Sequence, residues 1–307
     1  MEIAQLDALL AVVDEGSFDG AARVLHVTPS AVSQRIKALE TSAGAVLVRR
    51  SRPVAATEVG SDYVRLARQV LAVVRESGLP GRTSGPGAAG DAGAGGDAGA
   101  GAPLARVPIA INGDSLNTWA MAALAEVADR AVFDVHREDQ DHSAELLRSG
   151  EVMAAITTQA VPVQGCTAVR LGVMRYRPFA TPAFARRWFP DGVTPEAIAV
   201  APMVMFDRKD DLQDRYARAK AGRDVEPPRH YVPSTADYAR AVVHGLGWGL
   251  LPHEHSDGPE AAGALVELEA GAHVDVELHW QQWSLRTPVL GAVARAVRRA
   301  AAAALLP

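Results

Sequence analysis

The chain has 307 residues, 48% of them hydrophobic and 22% charged, with a formal net charge of −5. Those proportions exclude wholesale disorder, the length suits two or three domains, and the apolar runs fall short of the ~20 residues that span a bilayer. A single cysteine, Cys166, excludes an internal disulfide framework and a cysteine-rich zinc site, and the acidic N-terminus lacks the basic start of an export signal, so a cytoplasmic location is expected.

Charge is distributed unevenly. Residues 1–19 hold Glu2, Asp7, Asp14, Glu15 and Asp19 and no Lys or Arg, whereas residues 20–57 hold Arg23, Arg35, Lys37, Arg49, Arg50 and Arg52 against Glu40 alone. A local basic flank of this kind can bind phosphate whatever the total charge. In residues 2–14, Ile3, Leu6, Leu9, Leu10 and Val13 share one helical face. Gly16 then stops the helix and Ser17 caps a second one running to about Leu25. Thr28-Pro29 opens a third, an N-cap followed by proline at the first helical position, with Val32, Ile36 and Leu39 inward and an end near Gly44. Val46-Leu47-Val48 and the Arg49–Pro53 run read as a short β-wing with a basic tip. A fourth helix, from Thr57 to about Ser77, carries Val59, Tyr63, Leu66, Val70, Val73 and Val74 as a stripe that a partner helix would cover.

Residues 80–103 are nearly all Gly, Ala, Pro and Asp and read as a flexible tether. Beyond it, strand and helix signals alternate, which predicts parallel βαβ units. Strands are expected at Val107–Ile111, Phe133–His136, Met153–Thr157, Ala168–Val173, Arg177–Ala180, Met203–Phe206, His230–Val232, Gly249–Leu251, Leu265–Leu268 and Val276–Trp283. Helices are expected at Thr118–Ala128, Ser143–Ser149, Pro182–Trp188, Leu212–Ala221, Thr235–His244 and Pro288–Leu306.

Helix, turn, short helix, tight turn and a longer helix exposing Ser30, Ser33, Gln34 and Lys37 make the helix-turn-helix pattern. Gln34 and the small hydroxyls suit base edges; Lys37, the helix-start amides and Arg49, Arg50 and Arg52 suit phosphate. On spacing alone, a solvated helix in a small bundle beside a charged loop reads these residues equally well.

The run GSFDGAARVLHVTPSAVSQRIKALETSAGAVLVRR resembles the winged helix-turn-helix of the LysR-type transcriptional regulators. Gly16-Ser17-Phe18, Ala21-Ala22, Leu25, Ser33, Leu39-Glu40, Gly44, Leu47, Arg49 and Thr57 with Gly60 fall at the family's spacing, while Val48 stands where the family usually has Phe. The resemblance implies an α/β multidomain protein: a winged head at 1–57, a linker and dimerisation helix at 58–79, the tether at 80–103, and two Rossmann-like, periplasmic-binding-protein-like effector lobes. Lobe I would take 104–174 with 284–307, and lobe II 175–283. It implies Ser17, Thr28, Pro29, Ser30, Ser33, Gln34, Lys37, Arg49, Arg50 and Arg52 as the DNA-binding set, a homodimer or dimer of dimers, and contact with RNA polymerase.

Within the family, VPIAINGDSLNTWAMAAL, EDQDHSAELLRSGEVMAAITTQAVPVQGC, RWFPDGVT and FDRKDDLQ resemble the LysG/ArgP branch, whose members sense basic amino acids and control an exporter. Ligands of open α/β lobes sit beyond the carboxyl ends of the strands. The residues expected there are Asn112, Asp114, Ser115, Glu138, Asp139, Thr157, Thr158, Asp207, Arg208, Ser234 and Asp237, with Trp119 or Phe206 against an aliphatic stem. The acidic members supply acceptors for two cations, although any one of them is equally an ordinary helix cap.

Other features read as structural. Gly245–Gly249 follows a helix and leads into a strand, the reverse of a phosphate loop. His253-Glu254-His255 reads as a loop without a third metal ligand. Gly-x-Ser-x-Gly is absent, so neither enzyme chemistry, metal nor cofactor is expected. The function expected is therefore a DNA-binding regulator sensing lysine or arginine. The alternatives are a different small metabolite, or a solute-binding protein or enzyme built on the two-lobed part.

Overall fold

A computed structural model describes residues 1–76, 104–137, 140–285 and 287–307. The expected tether and the candidate residues Glu138 and Asp139 lie outside the described residues. The N-terminal head comprises α1 (Ile3–Asp14), α2 (Phe18–Val24) and α3 (Pro29–Ala43), the wing strands β1 (Val48–Arg49) and β2 (Ala55–Ala56), and the long helix α4 (Glu58–Glu76). Leu6, Leu9 and Val12 of α1 meet Ala21 and Ala22 of α2 and Val32, Ile36 and Leu39 of α3 in one apolar core. The buried face of α1 is rotated from the expected one: Ile3 is exposed and Leu10 and Val13 are half-buried, whereas Ala8, Ala11 and Val12 are buried and α4 packs along α1.

Two faces divide α4. Val64, Ala67 and Leu71 are buried, while Val59, Leu66 and Val73 are exposed and Tyr63 and Val70 are half-buried. The second set follows the alternating four-and-three spacing of a coiled-coil seam. Only part of the stripe read from the sequence is therefore turned away from the protomer, and α4 docks on its own head with the other side.

The second half begins with β3 (Ala105–Ile111), α5 (Gly113–Ser115), a π-helical turn (Leu116–Ala120) and α6 (Met121–Ala125). It continues through β4 (Ala131–Arg137), α7 (Gln140–Ser149), β5 (Ala154–Thr157), β6 (Cys166–Ala180), α8 (Pro182–Trp188), α9 (Pro195–Ile198), β7 (Met203–Met205) and α10 (Leu212–Ala221). The last elements are β8 (Arg229–Tyr231), α11 (Thr235–Val243), β9 (Gly249–Pro252), α12 (His253–Ala261), β10 (Val266–Glu267), β11 (Val274–Trp283) and α13 (Pro288–Ala304).

The main sheet runs β10-β6-β11-β5-β3-β4, with β9 also paired to β6, and a smaller parallel pair joins β7 to β8. Four expectations need correction. The sheet is mixed: β3 is parallel to β4 and β5, but β11 runs antiparallel to β5 and β6, and β9 and β10 antiparallel to β6. The separate strands expected at 168–173 and 177–180 are one strand, because β11 pairs with β6 from Tyr176 to Cys166 with a single register shift at Leu171. His253-Glu254-His255 is the first turn of α12 rather than a loop. The helix expected from Thr118 starts earlier, at Gly113, immediately after the end of β3.

The wing is held by close contact. Thr57 donates its N–H to the Leu47 carbonyl at 2.9 Å, and its hydroxyl accepts from the Gly60 N–H at 2.9 Å. A Cβ on Gly60 would lie 1.9 Å from the Leu47 carbonyl oxygen. Gly60→Ala is accordingly expected to destabilise the head by about 1–3 kcal/mol through overpacking. A chemical denaturation midpoint equal to that of the unsubstituted chain would contradict this packing.

Candidate functional site

On the head, α3 is presented end-on. Thr28 caps it, its hydroxyl accepting from the Ala31 N–H at 3.2 Å, and Pro29 fills the first helical position. No acidic residue occupies the first turn, so the free amides and the positive end of the helix dipole are open to an anion. Ser30, Gln34 and Lys37 are exposed along one side of α3, and Ser33 is half-buried beside them. Ser17 caps α2, accepting from the Gly20 N–H at 3.0 Å.

Arg49, Arg50 and Arg52 are exposed on the wing, and the Arg50 guanidinium lies 5.3 Å from the Phe18 ring centroid. Glu40 links wing to helix: its carboxylate accepts from the Leu47 and Val48 N–H groups at 2.9 and 3.3 Å. Glu40 thus ties the basic wing to α3, which carries exposed hydroxyl, amide and ammonium side chains.

The second site is a cavity of about 640 Å³ at the carboxyl ends of β3, β5 and β7. Asn112, Asp114 and Thr158 reach it from the β3–β5 side; Phe206, Asp207 and Asp210 reach it from the loop after β7. Asp114 accepts a hydrogen bond of 2.5 Å from the Tyr176 hydroxyl, on the crossing strand β6. Burial pushes its carboxyl above the ordinary aspartate range, against the hydrogen bond from Tyr176 and the nearby His255 and Thr235. Asp210 is raised in the same way by burial, with the charge of Asp114 adding to it and the N–H groups of Leu212 and Phe206 opposing it. Among the described residues no Lys or Arg forms an ion pair with either carboxylate.

The amide side chains of Asn112 and Gln213 also line the cavity, and their carbonyl oxygens are buried without a hydrogen-bond donor. An unmatched buried acceptor is costly unless something supplies an N–H. On β11, Asp275 and Glu277 are instead held below the ordinary range by Arg175 and Arg170.

Of the cleft residues expected from sequence, Asn112, Asp114, Thr158, Asp207 and Phe206 face the cavity. Asp207 turns its carboxylate onto the N–H groups of Lys209 and Asp210, at 2.7 and 2.9 Å, and so shapes the loop that delivers Asp210. The other expected residues are elsewhere. Trp119 packs in the apolar core, Ser115 and Thr157 are buried, the latter as the last residue of β5, and Arg208 stacks 4.6 Å from the Tyr231 ring centroid. Ser234 caps α11, and Asp237 is exposed and paired to Arg240. Sequence reading missed Asp210, Tyr176, Gln213, Tyr238 and His255. Asp210 stood in the run FDRKDDLQ and His255 in the His253-Glu254-His255 run set aside as a metal site, but Tyr176, Gln213 and Tyr238 lie inside a strand or a helix and carry no local signal.

Both halves of the chain match known proteins. Residues 3–61 match the model of the bacterial regulatory helix-turn-helix protein, lysR family, and residues 105–302 match the LysR substrate binding domain. The chain is 44% identical to the HTH-type transcriptional regulator LysG of Mycobacterium tuberculosis over 97% of its own length and 92% of the relative's. It is 39% identical to the lysine export transcriptional regulatory protein LysG of Corynebacterium glutamicum over 99% of each. The crystal structure of ArgP from M. tuberculosis superposes with a TM-score of 0.86 at 42% identity, covering 98% of each chain. Full-length LysG from C. glutamicum with the bound effector Arg superposes with a TM-score of 0.79 at 38% identity, covering both chains throughout.

The raised carboxyls set a sign for stability. Each contributes most favourably below the unfolded-state value near pH 4, and that contribution is lost as pH rises through the elevated folded-state value. Asp114→Asn removes one such ionisation while leaving an acceptor for Tyr176. Its thermal midpoint without ligand is expected above that of the unsubstituted chain at pH 7, by about 2–4 °C per kcal/mol recovered, with the gap narrowing towards pH 5. Scans at both pH values check this; a lower midpoint at pH 7 would contradict it.

Proposed function

The chain belongs to the LysR family of bacterial DNA-binding transcriptional regulators, and from that membership we propose that it controls an amino-acid exporter gene in response to lysine or arginine. One observation carries the choice of effector: Asp114 and Asp210, two buried carboxylates without a Lys or Arg partner among the described residues, and the bare carbonyl oxygens of Asn112 and Gln213 are gathered in one cavity. A basic amino acid brings an α-ammonium and a side-chain cation, which answer two buried carboxylates and several bare carbonyls at once. Its carboxylate would be met by the hydroxyls of Thr158 and Thr235 or by Lys209 and Arg215, and its aliphatic stem by Phe206, all of which line the same space. The arginine bound by the C. glutamicum relative supports the same assignment.

Binding would bridge groups on both sides of the cleft and favour the arrangement that brings them together. The exposed seam of Val59, Leu66 and Val73 on α4 would join two protomers, so that two α3 helices address successive turns of duplex DNA. In that assembly Gln34, with Ser30 and Ser33, reads base edges; Lys37, Arg49, Arg50 and Arg52 hold phosphate; Ser17, Thr28 and Pro29 set the helix starts. RNA polymerase would be the further partner, in the cytoplasm. No helix among the described residues is long and apolar enough to cross a membrane.

Footprinting on the gene's own upstream region, with and without lysine and arginine, tests the whole reading. Calorimetry is expected to show arginine or lysine binding, citrulline (which keeps the shape of arginine but lacks its side-chain charge) at least tenfold weaker, and affinity falling as pH drops into the range where Asp114 and Asp210 protonate. Citrulline bound as tightly as arginine would overturn the effector assignment. Gln34→Ala is expected to reduce discrimination for the operator by about 1–3 kcal/mol without altering effector affinity. Lys37→Ala is expected to lower the salt slope of DNA binding by about one; gel retardation across a salt series reads both.

A further inference from the structure

A sensor cleft and a DNA-reading surface lie in different parts of the chain, and the covalent path between them runs through residues outside those described. The described residues nevertheless touch directly. The guanidinium of Arg68, on α4, donates to the carboxylate of Asp14 at 2.7 Å and to the backbone carbonyl of Ser149 at 3.0 Å. Asp14 is the last residue of α1 in the head; Ser149 is the last residue of α7 in the sensor half.

The contact is tight on its sensor side. Gly150 is buried with φ +75°, and a Cβ there would lie 3.2 Å from the Arg65 Cα. Glycine is thus favoured at that position both by the backbone conformation and by the approach of α4. Ala72, one turn further along α4, packs on the apolar core of the sensor half, and Cys166 at the start of β6 feels the charge of Arg65. The end of α7, the start of β6 and the middle of α4 therefore meet at one place.

We propose that Arg68 is a positioning residue that couples the effector cavity to the DNA-binding head, acting as a two-pronged joint between the ends of α7 and α1. This rests on the effector-responsive function proposed above. The chemistry favours arginine here. The Ser149 carbonyl is among the last of α7 and lacks a partner within its own helix, at the negative end of the helix dipole. A rigid fork can address that carbonyl and a carboxylate in two directions, which a lysine ammonium on a flexible stem does poorly.

On one side, α7 passes through Gly150 into β5, whose fully buried strand ends at Thr157, next to the cavity-lining Thr158. On the other side, α1 is packed against α2 and α3. A shift of the cavity wall along β5 would move the end of α7 and, through Arg68, the end of α1. With the Asp14 carboxylate half-exposed, this ion pair adds little to stability by itself, so its effect is expected in the coupling between sites rather than in unfolding.

The test compares Arg68→Gln, Arg68→Lys and Asp14→Asn with the unsubstituted full-length chain. Three quantities are read: arginine and lysine affinity by calorimetry, operator affinity without effector, and the ratio of operator affinities with and without saturating effector. Effector affinity and effector-free operator affinity are expected within about twofold of the parent in every variant. The ratio is expected to fall towards one in Arg68→Gln, and to be reduced in Arg68→Lys and Asp14→Asn, each of which keeps one prong. A ratio in Arg68→Gln equal to that of the parent overturns the joint. If the parent binds arginine and lysine but its own ratio is one, the effector-responsive function fails and the joint fails with it; if the parent responds and Arg68→Gln also responds, only the joint fails.

Discussion

The antiparallel ladder between Cys166–Ala180 and Val274–Trp283 is the constraint on which the sensor half depends. The two strands stay paired from Val274 opposite Tyr176 to Trp283 opposite Cys166, with a register shift that leaves Leu171 without a partner. One stretch of β11 also pairs with β5, and β6 pairs with β9 and β10, so these strands run through both groups of βα units. The C-terminus adds to the crossing: Leu306 pairs with Val173, and its carbonyl sits where a Cβ on Gly172 would have to go. Because the strands are continuous, residues placed on them face the space between the two groups. Tyr176 on Asp114 is the direct example.

That space is built at a thermodynamic cost. Apolar burial in the large core, with Trp248, Trp280 and Trp283 fully enclosed, supplies the favourable side. Against it stand carboxyls pushed up by burial and amide oxygens left bare. Folding alone gains nothing from that set, whereas a cationic ligand would find acceptors already desolvated and oriented. The head follows the opposite plan. Its reading surface stays solvated, while its geometry is set by caps, by Glu40 across the wing base and by a backbone approach at Gly60.

Local chemistry was highly legible. Thr28-Pro29, Ser17 and Gly44 mark helix ends because capping is a property of a few adjacent residues, and each is found in that role. The strand–helix alternation of the second half was legible for the same reason. Pairing direction was not. The two expected strands at 168–173 and 177–180 merge, since continuity was decided by a partner a hundred residues away. The cleft shows the same division: Asn112, Asp114 and Thr158 follow strand ends and were found, whereas Tyr176 and Gln213 arrive from a crossing strand and a helix face.

By itself the sequence determined the family resemblance, the helix-turn-helix with its polar third helix, and the acidic character of the cleft, because each is written in short runs of neighbouring residues. Only the tertiary structure decided which carboxylate on the second side faces Asp114, that α12 brings His255 to the cavity, and that Arg68 stands between α1 and α7. Those facts join residues far apart along the chain, and strand register and helix packing, rather than local pattern, set their distances.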